Sequence, residues 1–502
     1  MLETTFSDRY KGFLVLLGVL TLISLLVMND FTTMLESEEA FNILQVQHQL
    51  ADSATQSLAP FPNTSQFLIY KIIGFSPFWI RISNVVVFLL LLLGIRVWGA
   101  KVFGKRQIIT FMVLILSSFL MISLAKFAVA DIPLCAFHMM SMAFLVICMK
   151  QPKLKWQIVY GLFVMGSFLV QPTGAVIYGL GLLAYMLLFH KDGKNLLQPL
   201  IIGIWIGLGT LFYFLGGFEW SMEGFIFSYR SGPYGHVLCW KEFFTWQVIG
   251  ILPWLGFLPA ALWDLFQKLR KKEEMAIILF GWLLFSIISH AVILQLCLLF
   301  LISKQVENYF KPNYPYKNLI KTFSILNLVC TFFVLIALML GGFAAMHNIG
   351  FRSTAAFSGI YWVFGFIAII GLFSDSRRFI IGGFGLAGSF SLFLFWLQIN
   401  PIVNRFRDIS IQLLDKVEEA SKVAVSQPLF DKNQFKVYSN AKGIDSQAFI
   451  NKQTDIDCYL LNEDDYKKLL TQDTIPMATD TLKGRTYIFE RPELFFIVKN
   501  KK

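Results

Sequence analysis

Charged residues are scarce in this sequence. Asp, Glu, Lys and Arg make up 15% of its 502 residues, against about 25% in ordinary soluble domains. Apolar residues make up 56%, and the mean hydropathy is +0.62. This balance excludes a disordered chain, a collagen-like fibre and a soluble enzyme, and it is typical of an integral membrane protein.

Paired cysteines and a basic domain are also missing. The six cysteines are scattered and show no CxxC spacing, so the sequence does not indicate a disulfide framework. Nearly all of the net charge of +11 lies before residue 403, in short loops between apolar runs. Lys and Arg in such loops mark the cytoplasmic face of a membrane protein, so a role in binding nucleic acid is not indicated.

Apolar runs near or above the roughly 18 to 20 residues that cross a bilayer recur along the chain before residue 403. They predict about thirteen membrane spans and an all-α polytopic membrane domain over residues 1–402. The predicted spans lie at about 12–30, 79–99, 107–125, 132–149, 157–170, 174–189, 198–217, 247–267, 274–289, 291–303, 319–341, 357–375 and 378–400. The runs on either side of residues 171 and 290 leave open whether each pair is two spans or one broken excursion.

The distribution of Lys and Arg predicts a cytoplasmic N-terminus, because the basic loops then all lie on the cytoplasmic side. The predicted outer loops, which are poor in Lys and Arg, are 31–78, 126–131, 218–246 and 342–356. The first of them contains two segments that read as amphipathic helices. Residues 403–502 are predicted to lie on the same outer face. There, alternating segments such as "DIDCYLL" predict strands and "NEDDYKKLL" predicts a helix capped by Asn462, so these residues indicate a small soluble α/β domain.

Two of the predicted outer loops present acids. Glu38 and Glu39 lie in "LESEEAFNILQVQHQL" (Leu35–Leu50), and Asp131 lies in a later outer turn, close to Lys126. Negative charge is favourable at the start of a helix, and this explains acids at both places. Two external acids in separate turns are equally a pair of candidate catalytic or metal-binding carboxylates. The residues alone leave both interpretations open.

A characteristic order of features runs along the chain. An acidic helix follows the first span, and a second loop helix runs into "KIIGFSPFWIRISNVVVF". Then come "VWGAKVFGKR", the external Asp131, "GLFVMGSFLVQPTGAVIYGLGLLAYMLL" and "VIGILPWLGFLPAALWDL". This series resembles the type C glycosyltransferases of the protein O-mannosyltransferase and lipid A aminoarabinose transferase superfamily. The likeness covers nearly the whole chain and implies the type C glycosyltransferase fold with an external C-terminal domain.

The resemblance implies an inverting glycosyltransferase that takes a sugar from a polyprenyl phosphate and attaches it to a lipid or protein acceptor on the outer side of the membrane. Glu38 or Glu39 would assist the acceptor hydroxyl, and Asp131 would belong to the same site. The residues expected to bind the lipid phosphate or the substrate are Arg81, Lys126, Arg230 and His236. Snorkelling of a span-end side chain to the interface is the alternative for each cation.

The same resemblance leaves a divalent metal open as a cofactor. The expected partners are the polyprenyl-phosphate-linked sugar, the acceptor and membrane lipids, without nucleic acid. The expected location is the bacterial inner membrane, with the C-terminal domain in the periplasm. Members of the superfamily often have a phosphate-binding lysine where this chain has Gln171. The missing lysine favours an alternative function, that of a catalytically impaired homologue that binds a lipid-linked glycan or a partner protein. A transporter is a weaker alternative, because the spans contain almost no ionisable residues at mid-depth.

Overall fold

The described chain is largely α-helical, as its apolar runs predict. The structure is a computed structural model. It describes residues 2–27, 69, 71–74, 76–127, 131–170, 172–214, 247–289, 291–399, 413, 416–417, 422–426, 456–470, 480–484 and 493–499. Its α-helices of eight residues or more are α1 (Leu2–Leu26), α2 (Pro77–Gly94), α3 (Lys105–Leu116), α4 (Phe119–Lys126), α5 (Asp131–Lys150), α6 (Leu154–Val170), α7 (Pro172–Phe189), α8 (Pro199–Phe214), α9 (Leu258–Arg270), α10 (Glu274–Ser289), α11 (Ala291–Tyr309), α12 (Lys317–Phe373), α13 (Arg377–Leu394) and α14 (Glu463–Leu470).

These residues form two compact units. The first contains the described residues of 1–27 and 82–396, and the second contains those of 69–81 and 397–502. Six described helical segments are long and apolar enough to cross a membrane, or seven if the bent pair α3 and α4 counts as one. Five shorter apolar helices of 10–17 residues accompany them. The polytopic α-helical membrane protein is confirmed, whereas the count of thirteen spans is not.

The third predicted span is broken in the middle. Helices α3 and α4 meet at an angle of 65°, although neither Pro nor Gly lies at the break. Ser118 begins α4, accepts a hydrogen bond from the Met121 N–H at 3.4 Å and donates one to the Gly250 carbonyl at 2.7 Å. The Ser117 hydroxyl accepts a hydrogen bond from the Trp254 indole at 2.8 Å. The hydroxyls of the two serines therefore pair with the Met121 N–H, the Gly250 carbonyl and the Trp254 indole around the break, because buried polar groups need hydrogen-bond partners.

The carbonyl of Leu116, at the end of α3, is also paired. It accepts hydrogen bonds from the hydroxyls of Thr21 at 3.3 Å and Ser389 at 3.1 Å. Helices α1 and α13 therefore supply the partners that a continuous helix would have given this carbonyl. Gly388 lies beside the same break, and its lack of a side chain allows α13 to approach Ser117 closely.

The eleventh and twelfth predicted spans are the two arms of α12. Helical hydrogen bonding continues from Lys317 to Phe373, yet the chain reverses between the arms. A Cβ atom built on Gly342 would lie 2.8 Å from the Gly350 carbonyl oxygen, and one on Gly365 would lie 2.8 Å from Leu328. In a straight helix, residues 342 and 350 would be about 12 Å apart. Both spans are confirmed, but the long outer loop predicted between them is wrong, because this stretch is helical.

The pairs of runs around residues 171 and 290 are separate helices. Tyr160 of α6 and Tyr178 of α7 line one cavity. Trp282 of α10 packs on Phe300 of α11 with ring centroids 5.5 Å apart. Each pair therefore consists of two helices, and the choice between two spans and one broken excursion stays as the sequence left it. The predicted span 247–267 is interrupted instead, because a 3-10 turn at Trp254–Phe257 precedes α9.

Buried and half-buried polar side chains link α3, α9, α11 and α13 away from this break. Asp264 accepts hydrogen bonds from Lys268 at 2.6 Å and from Gln305 at 2.8 Å. Glu307 accepts hydrogen bonds from Thr110 and Arg377. Charged groups in an apolar bundle are tolerated when they are paired in this way.

The second unit contains the predicted α/β region. Its four-stranded sheet has the order β1 (Val423–Val425), β2 (Cys458–Asn462), β4 (Glu493–Lys499) and β3 (Asp480–Gly484). Strands β1 and β2 are parallel, and the other neighbours are antiparallel. The Asn462 side chain accepts a hydrogen bond from the Asp465 N–H at 3.0 Å and caps α14, and Tyr466 stacks on Phe496 at 4.0 Å. The predicted small α/β region with a helix capped by Asn462 is confirmed.

Candidate functional site

Three of the predicted site residues belong to the described chain, and each lies near the end of a helix. They are Arg81, Lys126 and Asp131. The others are outside the described residues, so their assignment stays a prediction. They are Glu38, Glu39, Arg230 and His236.

Lys126 is the last residue of α4, and only 1% of it is exposed. Its Nζ donates hydrogen bonds to the backbone carbonyls of Ser24 at 3.1 Å and Leu25 at 3.4 Å, and also to that of Val27. Helix α1 ends at Leu26, so these carbonyls belong to its final turn and to the residue after it, where no partner exists within the helix. A cation at this position also interacts favourably with the negative end of the helix dipole.

Aromatic and amide groups surround the Lys126 ammonium. The ring centroid of Trp396 lies 5.0 Å from Nζ, within the range of a cation–π interaction. Phe127 packs edge-on against Trp396 at 5.7 Å, and the Asn84 amide donates a hydrogen bond to the Phe127 carbonyl at 2.5 Å. We call Lys126, its three carbonyl acceptors and these neighbours the Lys126 clamp. It joins the end of α1 to α2, α4 and the π-helical turn Phe395–Ile399 that follows α13.

Arg81 is also buried, at 2% exposure. It lies near the start of α2 and three residues before Asn84, on the same face of the helix. Side chains that snorkel to solvent keep their charged heads exposed, and neither Arg81 nor Lys126 does so. Their burial indicates that each guanidinium or ammonium group is held by the protein.

Asp131 begins α5 and is 4% exposed. Its place in the first turn is electrostatically favourable. Cys135 and His138 follow at i+4 and i+7, so they continue the same stripe of α5, and both are buried. The His138 ring meets Tyr178 of α7 edge-on at 4.3 Å. A polar stripe therefore runs from Asp131 into the bundle.

A cavity of about 10 Å³ lies at the inner end of this stripe. Its polar lining comes from α5, α6, α7 and α8, namely His138, Ser141, Tyr160, Ser167, Tyr178 and Trp205. Sequence reasoning did not single out these residues. It also missed Asn84 and Trp396, although an asparagine inside an apolar span is a signal that the side chain has a partner in the bundle.

A metal site is not visible in the part of the chain that the structure describes. Within those ranges, no group of three or more His, Cys, Asp or Glu side chains is arranged to hold a metal ion. Glu38, Glu39 and His236, three of the predicted candidates, lie outside those ranges. A divalent metal as cofactor therefore stays a prediction.

The helices and the α/β unit together define a multi-pass integral membrane protein. Two solved structures share its fold along nearly the whole chain. The crystal structure of ArnT from Cupriavidus metallidurans bound to undecaprenyl phosphate has a TM-score of 0.64 and 16% identity, and the match covers 97% of this chain and 98% of that one. The apo structure of the same protein has a TM-score of 0.61 and 15% identity, with 98% of each chain covered. No family model and no curated protein matches the sequence.

At this level of identity the likeness establishes the fold. The resemblance of the sequence to the type C glycosyltransferases is thereby confirmed at the level of the fold. The match also spans the C-terminal α/β region, which a fragmentary similarity between membrane helices would have left out. Roles of individual residues are a separate question, which the described geometry addresses only for Arg81, Lys126 and Asp131.

Proposed function

We propose that this protein is a membrane glycosyltransferase that moves a sugar from a polyprenyl-phosphate donor to a lipid or protein acceptor on the outer face of the membrane. The observation that carries the proposal is the match, over 97% of this chain, to an ArnT structure that contains undecaprenyl phosphate. Buried outer-side cations and an acid at the start of α5 support it, because transfer from a lipid phosphate needs both charges.

In the proposed reaction, the acceptor hydroxyl attacks the anomeric carbon as the bond to the polyprenyl phosphate breaks, which inverts the configuration. Glu38 or Glu39 takes the proton of the hydroxyl, and Asp131 supports that acid in the same site. Arg81 and Arg230 stabilise the negative charge on the departing phosphate, since guanidinium groups match phosphate oxygens in pairs. His236 serves as a substrate or metal ligand.

The finer predictions of topology belong to the same proposal. They are about thirteen spans, a cytoplasmic N-terminus, a periplasmic C-terminal domain that begins near residue 403, and location in the bacterial inner membrane. Cysteine accessibility in intact cells tests the orientation. A cysteine introduced in the C-terminal unit should react with a membrane-impermeant maleimide from the periplasmic side only.

Sugar transfer by the purified protein tests the function. With an undecaprenyl-phosphate-linked sugar as donor, Asp131→Asn and the double variant Glu38→Gln with Glu39→Gln should each lower the transfer rate by about 100-fold or more, the usual scale for loss of an acid or base. Glu36→Gln is the matched control, because Glu36 lies in the same acidic segment and has no assigned role. Full activity of Asp131→Asn would remove Asp131 from the site.

The presence of Gln171 in place of a lysine supports a second candidate, a non-catalytic homologue that binds lipid-linked glycan or a partner protein. Binding of undecaprenyl phosphate without turnover would favour this candidate over the enzyme. Absence of both binding and transfer would contradict the two proposals together.

A further inference from the structure

We propose that Lys268, Lys304 and Lys311, at the ends of α9 and α11, bind the phosphate of an anionic phospholipid at the headgroup level of one leaflet. We call these three residues the lysine cluster. It shares no residue with the candidate site described above, and its ligand is independent of the proposed sugar transfer.

Hydrogen bonds between α9 and α11 bring the lysines together. Asp264 of α9 accepts a hydrogen bond from Gln305 of α11 at 2.8 Å. Lys268 lies one turn after Asp264 and pairs with it at 2.6 Å. Lys304 directly precedes Gln305 in the chain. Lys304 also interacts electrostatically with Lys268 and Lys311, so three ammonium groups share the same region.

The acids nearby do not balance these three charges. Asp264 and Glu273 interact electrostatically with Lys304. Asp264, however, already accepts hydrogen bonds from Lys268 and Gln305, and no described carboxylate forms an ion pair with Lys304. Lys304 is half-buried, and a charge that is partly removed from water needs a partner. A bound phosphate would supply this partner.

The turn from α9 to α10 adds further positive charge. Arg270, Lys271 and Lys272 follow one another closely, are exposed and form no ion pair with a described carboxylate. Glu274, one of the two acids in this turn, is paired with Lys191. Basic groups clustered at the edge of a membrane helix attract anionic lipids, because the charges add up close to the bilayer surface.

The lysine cluster lies where several apolar helices end together. Helix α11 is long and apolar enough to cross a membrane, and Lys304 lies in its last two turns. Lys317 begins α12 and pairs at 3.1 Å with Asp375, which lies between α12 and α13. Arg377 begins α13 and pairs with Glu307 near the end of α11. These helix ends therefore share one level, where the phosphates of a leaflet lie.

An aromatic surface on α9 favours a lipid over a soluble anion or an acidic protein. Leu262, Trp263 and Phe266 are exposed, whereas Asp264 between them is buried. The Arg270 guanidinium lies 4.5 Å from the centroid of the Phe266 ring. Helices with aromatic and basic residues on their outer face lie at the membrane interface. The acyl chains of the lipid would cover this face while its phosphate meets the lysine cluster.

Native mass spectrometry of the full-length protein in detergent tests the binding. The Kd for the first phosphatidylglycerol should be about 10-fold or more below the Kd for phosphatidylcholine, which has no net charge. Lys304→Gln with Lys311→Gln should raise the Kd for phosphatidylglycerol about 10- to 30-fold and leave that for phosphatidylcholine unchanged. Lys153→Gln with Lys155→Gln is the matched control, because it removes two exposed lysines at the start of α6, and it should change neither Kd.

Hydrogen exchange measured by mass spectrometry locates the bound lipid. The Lys271, Lys272 and Glu273 amides donate hydrogen bonds to carbonyls of the last turn of α9. Phosphatidylglycerol should slow their exchange, whereas phosphatidylcholine and inorganic phosphate should leave it unchanged. Equal protection by inorganic phosphate would overturn the lipid and assign the lysine cluster to a soluble anion.

Two further outcomes contradict the proposal. One is an equal Kd for phosphatidylglycerol and phosphatidylcholine in the wild type, and the other is an unchanged Kd for phosphatidylglycerol in the double variant. Lys311→Gln alone changes an exposed residue and should already raise this Kd about 5-fold, so the test does not depend on the folding of the double variant. Each result stands whether or not the protein transfers a sugar.

Discussion

The close contact between α13 and the break in the third span makes Gly388→Ala the most informative test of the fold. A Cβ atom at residue 388 would lie 2.7 Å from the Ser117 Cβ and nearer still to the Ser117 carbonyl oxygen. Carbon and oxygen atoms normally approach to about 3.3 Å. Helix α13 would therefore have to move by roughly 1 Å away from Ser117.

The cost of this movement can be worked out from the contacts it disturbs. Overpacking of a buried site costs about 1–3 kcal/mol. The hydrogen bond from Ser389 of α13 to the Leu116 carbonyl would weaken, at about 1 kcal/mol. Replacement of a helical glycine by alanine returns about 0.5–1 kcal/mol. The net loss of unfolding free energy should be about 1–3 kcal/mol.

Gly382→Ala is the control on the same helix, because a Cβ atom there meets no atom within 4 Å. Thermal unfolding in detergent, followed by tryptophan fluorescence at one scan rate, compares the variants. Gly388→Ala should lower the apparent midpoint by on the order of 5 °C, whereas Gly382→Ala should leave it unchanged or raise it slightly. Equal midpoints for the two variants would refute the close approach of α13 to Ser117.

Three further predictions concern buried or paired polar groups. Asp264→Ala should cost about 2–3 kcal/mol of unfolding free energy, because it leaves a half-buried lysine and a buried glutamine without their shared acceptor, and chemical denaturation measures this loss. Burial raises the pKa of the Asp375 carboxyl, but the hydrogen bond and charge of Lys317, 3.1 Å away, help to hold the pKa below its ordinary value. A lowered carboxyl pKa stabilises the fold above the ordinary pKa and loses this effect as pH falls through the folded value. The midpoint difference between wild type and Asp375→Asn should therefore be constant from about pH 8 to 5 and shrink as the pH falls further. The Tyr178 hydroxyl is buried, has no hydrogen-bond partner among the described residues and borders a cavity of about 10 Å³, which has room for about one water molecule. We expect a water there to bond the hydroxyl, so Tyr178→Phe should lower the unfolding midpoint. A raised midpoint would contradict the bound water.

The apolar helices could be predicted from the sequence because length and hydropathy are local properties. The runs that became α5, α11 and α13 are each confirmed as helices able to cross a membrane. The strand β2, in "DIDCYLL", and the helix capped by Asn462 follow equally from short-range pattern. In these segments the intrinsic preference of the chain and its tertiary environment agree.

The candidate site was predictable only in part. The sequence indicated that Asp131, Arg81 and Lys126 are important, because charges at the edges of apolar runs are conspicuous. It did not indicate what Lys126 contacts, since the three carbonyls are about a hundred positions earlier in the chain, with separations of 99 to 102 residues. A cation near a predicted phosphate site and a cation that caps a helix have the same sequence signature.

The sequence by itself thus determined that this is a multi-pass membrane protein with a small α/β region, because the bilayer requires long apolar helices whose composition is unmistakable. Only the tertiary structure decided where those helices break and turn. The bend at Ser117 and Ser118 has no proline or glycine to announce it, and it exists because Trp254, Gly250, Thr21 and Ser389 offer hydrogen bonds to the groups around it. The partner of Lys126 was decided in the same way, since a buried ammonium takes the acceptors that folding brings to it.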